Sequence, residues 1–401
     1  MLEHAVDLGR LSAVEPLRFH QLRYLDEGGD EVTVGRLDQG SFVVLPRDGA
    51  ELIHQLEAGL SCADAASWYA RTYGEELDIA DFVGQLRQLG FLLESGEHRS
   101  AAAPVRWQRL GRAVFSPAGA ACYATLVIAA ALVMLRTPSL APQPRNLFFT
   151  SYLSLLMVAL FLGQLPLVLI HEAGHALAGR RLGLPSTLSV GHRFIYLVVQ
   201  TNLDGLVSVP RRSRVLPIVA GMLVDVAAVA ALTLAAAALP ARSGAWAGVG
   251  DYLLALAFLS CLRVLWQFWF FLRTDIYYLV VTVLGCHDLQ QAARQHLRNT
   301  LDQAMGRVRT HDPALWHPRD RAAARWYAWL LAAGYALCLA TVPIAVLPML
   351  SRTITILADS ASPGRHSWLA AADSVLFLVL TLAQLGAAGW LAWRERSARH
   401  G

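Results

Sequence analysis

Two histidines and a glutamate in the segment LVLIHEAGHALAGRRLG, residues 167–183, carry the first chemistry that this chain offers. On a helix, His171 and His175 stand one turn apart and project from one face, so both imidazoles reach a single ion. Glu172, about 100° further round, contacts a water on that ion without ligating it. Two nitrogens, one further protein ligand and an open position for water suit Zn2+ and a hydrolytic reaction. Chance produces an HExxH in roughly one of a hundred chains of this composition. The plainer reading makes these residues a polar helix end facing lipid headgroups. Against it, unpaired ionisable groups beside a membrane require a reason.

A third ligand has to come from elsewhere in the fold. Asp275, in FWFFLRTDIYYLVVTVLG, is the expected one, because it follows an apolar span and sits in an otherwise apolar stretch on the same membrane side. Asp225, in AGMLVDVAAVAAL, is open as a partner of the site or of substrate, although its depth in a span disagrees with ligands placed at a span's end. Asp204 and His192, in the arginine-rich loop 180–214, read as solvated. His287, His296, His311 and His317 show no ligand spacing and read as surface residues.

The elements that must position these groups follow from composition. The chain has 401 residues, 55% hydrophobic and 16% charged, too apolar for an ordinary soluble protein and too interrupted to face lipid throughout. The fold class expected is an α-helical polytopic membrane protein with an N-terminal α+β winged-helix domain. Five scattered cysteines imply neither a disulfide framework nor a thiolate zinc site. The first residues lack a secretory signal, which places the N-terminus in the cytoplasm. Six segments reach the roughly 20 residues that span a bilayer: Ala113–Leu135, Phe148–Ile170, Val215–Leu239, Tyr252–Leu272, Trp326–Leu350 and Leu369–Trp393. Nineteen loop arginines fall on one side of such a bundle and five on the other, so both termini are expected in the cytoplasm. HEAGH then stands at the cytoplasmic end of the second span.

Residues 16–97 alternate and turn like a soluble domain. RFHQLRYLDE, EVTVGRL and SFVVLP read as strands; DGAELIHQLEAG, CADAASWYARTYG and DIADFVGQLRQLG read as helices; FLLES closes the unit. Three strands followed by three helices make a winged-helix pattern. A polar, basic linker, 98–112, leads into the membrane domain, 113–393. Winged helices also bind DNA, but this one is rich in acids and has no basic recognition helix, so no nucleic acid is expected as a partner.

At HEAGH the chain resembles the site-2 protease family of intramembrane zinc metalloproteases. GMLVD, Gly221–Asp225, resembles the family's GPxxN motif, with Met222 for Pro and Asp225 for Asn. RTDIYY, Arg273–Tyr278, resembles its LDG-type motif, with Ile276 for Gly. The bacterial peptide zinc metalloprotease branch is the nearest in pattern. The resemblance spans residues 148–290 and implies His171, His175 and Asp275 as zinc ligands and Glu172 as catalytic base.

Residues 16–97 are similar to the PqqD-like leader-recognition domains of ribosomally made peptide pathways, which implies a leader peptide added as a strand to an open sheet edge. Together these resemblances imply a bacterial inner-membrane protease that matures a peptide precursor. Two alternatives stay open: a non-proteolytic membrane accessory for peptide binding, export or immunity, and regulated intramembrane proteolysis of a membrane-bound regulator. The alanine-rich third span allows close helix packing within or between chains, so the oligomeric state is open.

Overall fold

The computed structural model describes residues 16–94 apart from 27 and 29, then 97, 104–193, 196–203, 205–240, 245–341 and 351, with scattered helical residues between 372 and 394. The chain divides into two compact units. One is Met1–Arg112 with Ala176–Thr187 and Asn202–Leu216; the other is Ala113–His175, Leu188–Thr201 and Pro217–Gly401.

In the first unit, β1 (Arg23–Asp26), β2 (Glu31–Arg36) and β3 (Ser41–Pro46) form an antiparallel sheet in that order, with Tyr24 opposite Val34 and Val34 opposite Val43. The first strand is shorter than RFHQLRYLDE suggested. Phe19 instead makes a single bridge to Leu92, and the His20 N–H donates to the Phe91 carbonyl at 3.0 Å, so FLLES closes the unit by pairing with the start of the domain.

Three helices follow: α1 (Arg47–Glu57), α2 (Cys62–Tyr73) and α3 (Ile79–Gln88). Ser61 caps α2 through the Asp64 N–H, and Asp78 caps α3 through Ala80 and Asp81, each satisfying donors that a helix start leaves free. Val34, Leu52, Ile53, Leu56, Leu86 and Phe91 are buried together and form the core. Buried Arg36 forks onto Asp38 and donates to the Gly90 carbonyl.

The second unit is helical. After α4 (Gln108–Val114), which overlaps the expected linker, come α5 (Pro117–Arg136), α6 (Leu153–Arg181), α7 (Arg211–Ala238) and α8 (Ala245–Trp266). These last four contain the helices that, among the described residues, are long and apolar enough to cross a membrane. Helix α6 starts later than expected and runs eleven residues past Ile170. Its start is held by Asp373, whose carboxylate accepts from the Leu153 and Ser154 N–H groups at 2.7 and 3.0 Å, an anion on the positive end of the helix.

Between α6 and α7 the arginine-rich stretch is not all loop. It holds a two-stranded sheet, β4 (Ser186–Arg193) and β5 (Tyr196–Leu203), consistent with the β-branched residues of STLSV and YLVVQT. Asp204 lies outside the described residues.

The fourth expected span, Tyr252–Leu272, is divided. Helix α8 stops at Trp266, a 3-10 turn covers Phe270–Leu272, and Arg273 takes a left-handed conformation with φ 57° before α9 (Asp275–Leu284). The stop is built by Gln267, whose carbonyl accepts from the Thr274 hydroxyl at 2.6 Å and whose side-chain oxygen accepts from the Asp275 N–H at 3.0 Å. Helices α10 (Leu289–Ala304) and α11 (Pro318–Thr341) complete the described set. The second half of the fifth expected span, 342–350, lies outside the described residues, as does much of the sixth, where 375–383 are helical.

The Tyr69 hydroxyl donates to the Asp48 carboxylate, and that carboxylate pushes the phenol up to about 12. An unfolded phenol titrates near 10, so the folded unit holds this proton more tightly. The stabilisation is complete below pH ~10 and is lost as pH rises through about 12. Tyr69→Phe should therefore flatten the alkaline decline of stability between those two values, read from the protease resistance of residues 16–94 as pH is raised. Identical declines in the two proteins would contradict the assignment.

Candidate metal centre

Helix α6 continues for ten residues beyond His171, so HEAGH sits about 15 Å inside the helix and not at its end. His171, Glu172, His175, Asp225 and Asp275 are each at most 8% exposed.

Each imidazole has one nitrogen committed. His171 Nδ1 lies 2.9 Å from Asp225 Oδ2, and His175 Nδ1 lies 2.8 Å from the Pro217 carbonyl. Both partners only accept here, so each neutral ring places its proton on Nδ1 and leaves Nε2 available as a ligand atom. Those two atoms stand 3.2 Å apart. Asp275 Oδ2 lies 3.6 Å from His171 Nε2 and 3.3 Å from His175 Nε2, and this buried oxygen has no hydrogen-bond partner. Three acceptors facing one another repel unless something positive lies between them. Ligands 2.0–2.1 Å from a tetrahedral ion are themselves about 3.3 Å apart. The donor set therefore fits a cation such as zinc on both geometry and chemistry, and the same three residues form a group whose ligand atoms all lie within 4.8 Å.

Backbone packing leaves the room. A Cβ at Gly221 of α7 would run into His175 Nε2 and His171 Nε2, and a Cβ at Gly174 of α6 would stand 2.7 Å from Val224 Cγ2. The two glycines let α6 and α7 approach at the level of the imidazoles. Asp275 arrives from the first turn of α9, where the helix dipole favours a carboxylate, and Gln267 fixes that turn. Thr201 of β5 donates to the Glu172 carbonyl at 3.0 Å, anchoring a strand beside the motif.

Of the residues singled out in the sequence, His171, His175 and Asp275 are brought together, with Glu172 adjacent on α6. Asp225 is not too deep; it is the orienting partner of His171. The depth objection assumed a motif at the helix end. Arg263 escaped sequence reasoning although it is the lone charge in SCLRVLW, and a half-buried arginine in a span demands a partner. It forks onto Asp225 with contacts of 2.6, 2.9 and 3.1 Å and donates to Gln164 Oε1 at 2.8 Å; Gln164 in turn donates to the Leu256 carbonyl at 2.9 Å. With donors on both its oxygens, Asp225 is fixed as an acceptor, and the chain of bonds ties α6, α7 and α8 to the ring of His171. Of the loop histidines, His287 is exposed, while His296, His311 and His317 are half-buried.

No family model matches this chain, and no curated protein or solved structure matches it.

Two substitutions test the centre. Gly221→Ala should fill the space between the imidazoles and leave the purified protein with little bound metal by elemental analysis; stoichiometric metal would refute the placement. Asp225→Ala removes the outer partner of a ligand histidine and should weaken cobalt binding about 10–100-fold, measured by competition with a chromophoric chelator.

Proposed function

We propose that the chain is a zinc-dependent intramembrane metalloprotease of the site-2 type, hydrolysing a peptide bond in a peptide precursor. The observation that carries the reading is the convergence of two imidazole nitrogens and an unpartnered carboxylate oxygen among apolar helices, with Glu172 buried beside them. When bound, zinc supplies a Lewis acid that makes water more acidic and polarises a carbonyl. His171, His175 and Asp275 hold it, and Asp225 keeps the His171 ring turned with Nε2 inward.

Glu172 takes the proton of the attacking water as its oxygen bonds to the scissile carbonyl carbon. It returns that proton to the departing amine nitrogen as the C–N bond breaks. Burial of these groups restricts water, so substrate entry becomes a selective step.

The N-terminal unit supports the choice of substrate class. Its strand order leaves β3 at an edge of the three-stranded sheet, a surface on which an extended leader segment can add as a fourth strand. On this reading the unit is a PqqD-like winged helix and the substrate is the precursor of a ribosomally made peptide. The protein then belongs in a bacterial inner membrane with its recognition domain and both termini in the cytoplasm.

Co-expression with a candidate precursor peptide tests this directly. Wild type should yield a shortened product, and Glu172→Gln should lower the rate of processing about 100–10,000-fold while bound metal stays unchanged. Equal processing by the two proteins would remove the protease claim.

A further inference from the structure

Away from the metal centre, α10, α11 and the segment joining them form an open surface cavity of about 430 Å3 whose arginines are exposed. Arg309, Arg321 and Arg325 line it, with His296, Asn299 and Trp316 among them, and no Asp or Glu contributes to the wall. Among the described residues no carboxylate pairs with any of the three arginines; the neutral amide of Gln303, turned with its oxygen toward Arg309, accepts from that guanidinium.

The nearby acids are occupied elsewhere. Asp302 accepts from the Thr310 hydroxyl at 2.7 Å, Asp320 from the backbone N–H groups of His287 and Asp288 at 3.0 Å, and Asp312 from the Ala314 N–H at 2.9 Å. The wall is also fixed in shape. The buried side chain of Asn299 donates to the His311 carbonyl at 2.7 Å and accepts from its N–H at 3.0 Å, which pins the joining segment to α10.

Three guanidiniums around one cavity with no acid to answer them recognise a compact anion with several oxygens, and phosphate matches that fork geometry. The position of the cavity says where the phosphate comes from. Helix α11 is charged only in its first two turns; from Trp326 to Thr341 it has no charged residue, and Trp326 and Trp329 are 48% and 68% exposed. Exposed tryptophans at the start of an apolar helix mark the headgroup level of a bilayer. The cavity lies on the polar turns just before that apolar stretch, where a helix entering a bilayer meets lipid phosphates.

We propose that this cavity binds the phosphate of an anionic phospholipid. The site is independent of the proteolytic reading and stands or falls by itself. The plain alternative is that these arginines only contribute diffuse positive charge to one side of the membrane, and that alternative makes a different prediction.

The full-length protein is purified in micelles doped with phosphatidylglycerol or phosphatidylcholine, and retained lipid is counted by native mass spectrometry. Wild type should retain phosphatidylglycerol over phosphatidylcholine by about tenfold or more. R309Q/R321Q/R325Q should bring the two lipids within about twofold. R298Q/R307Q/R319Q removes as many arginines from the same region outside the cavity, and should keep the wild-type preference. Equal losses in the two triple variants would overturn the proposal. Displacement of the lipid by millimolar inorganic phosphate would overturn the lipid source and make the cavity a free-phosphate site. If the first triple variant does not fold, Arg321→Gln alone should cut the preference about fivefold, and an unchanged preference there would equally refute the site.

Discussion

Two bare imidazole nitrogens held 3.2 Å apart are the constraint around which the transmembrane part of this protein is arranged. As neutral rings, with each Nδ1 donating to an oxygen acceptor on α7, neither has a proton to offer the other. Left alone, the pair is repulsive, and the carboxylate oxygen of Asp275 adds to the repulsion. The surrounding structure nonetheless brings two helices into close contact at this arrangement. Gly221 and Gly174 bring α6 and α7 together at this level, where any side chain would force them apart. Such a cluster of acceptors is costly by itself and becomes stabilising around a cation.

The ion pair behind the imidazoles deserves the same physical reading. A buried Asp–Arg pair contributes little net stability, since the desolvation of both ions offsets their attraction. What the pair provides is orientation. Arginine cannot lose its charge, and its fork directs donors at both oxygens of Asp225, leaving the carboxylate a single role toward the His171 ring. Gln164 extends the same network from the helix that carries the metal motif, so the ring is tied to its own helix through two others.

Much of this was legible in the sequence, for physical reasons that also explain the gaps. A one-turn spacing on a single helix brings two imidazoles together locally, so the convergence of His171 and His175 could be read without knowing the fold. Asp275 could be read because a carboxylate inside FLRTDIYYLV has no reason to be there without a partner. In the N-terminal unit, alternating strands and Asp or Ser caps marked the elements closely.

Side-chain partnerships between helices left no periodic trace. Apolar pattern reports burial and says nothing of pairing, which hid the link between Asp225 and Arg263. Span limits drawn from apolarity alone ended the second span at Ile170 and ran the fourth to Leu272. The polar face of HEAGH is satisfied inside the bundle, so α6 continues; Gln267 ends α8 through hydrogen bonds that hydropathy does not register.

The Asp225–Arg263 pair has one more consequence. Glu172, Asp225 and Asp275 together contribute three negative formal charges and Arg263 one positive. On the proposed reading, a divalent ion held by His171, His175 and Asp275 would cancel the remainder and leave the centre electroneutral. A monovalent ion leaves it anionic and a trivalent one leaves it cationic. On the proposed reading, the arginine would favour a divalent ion by charge balance, from a position outside the ligand set.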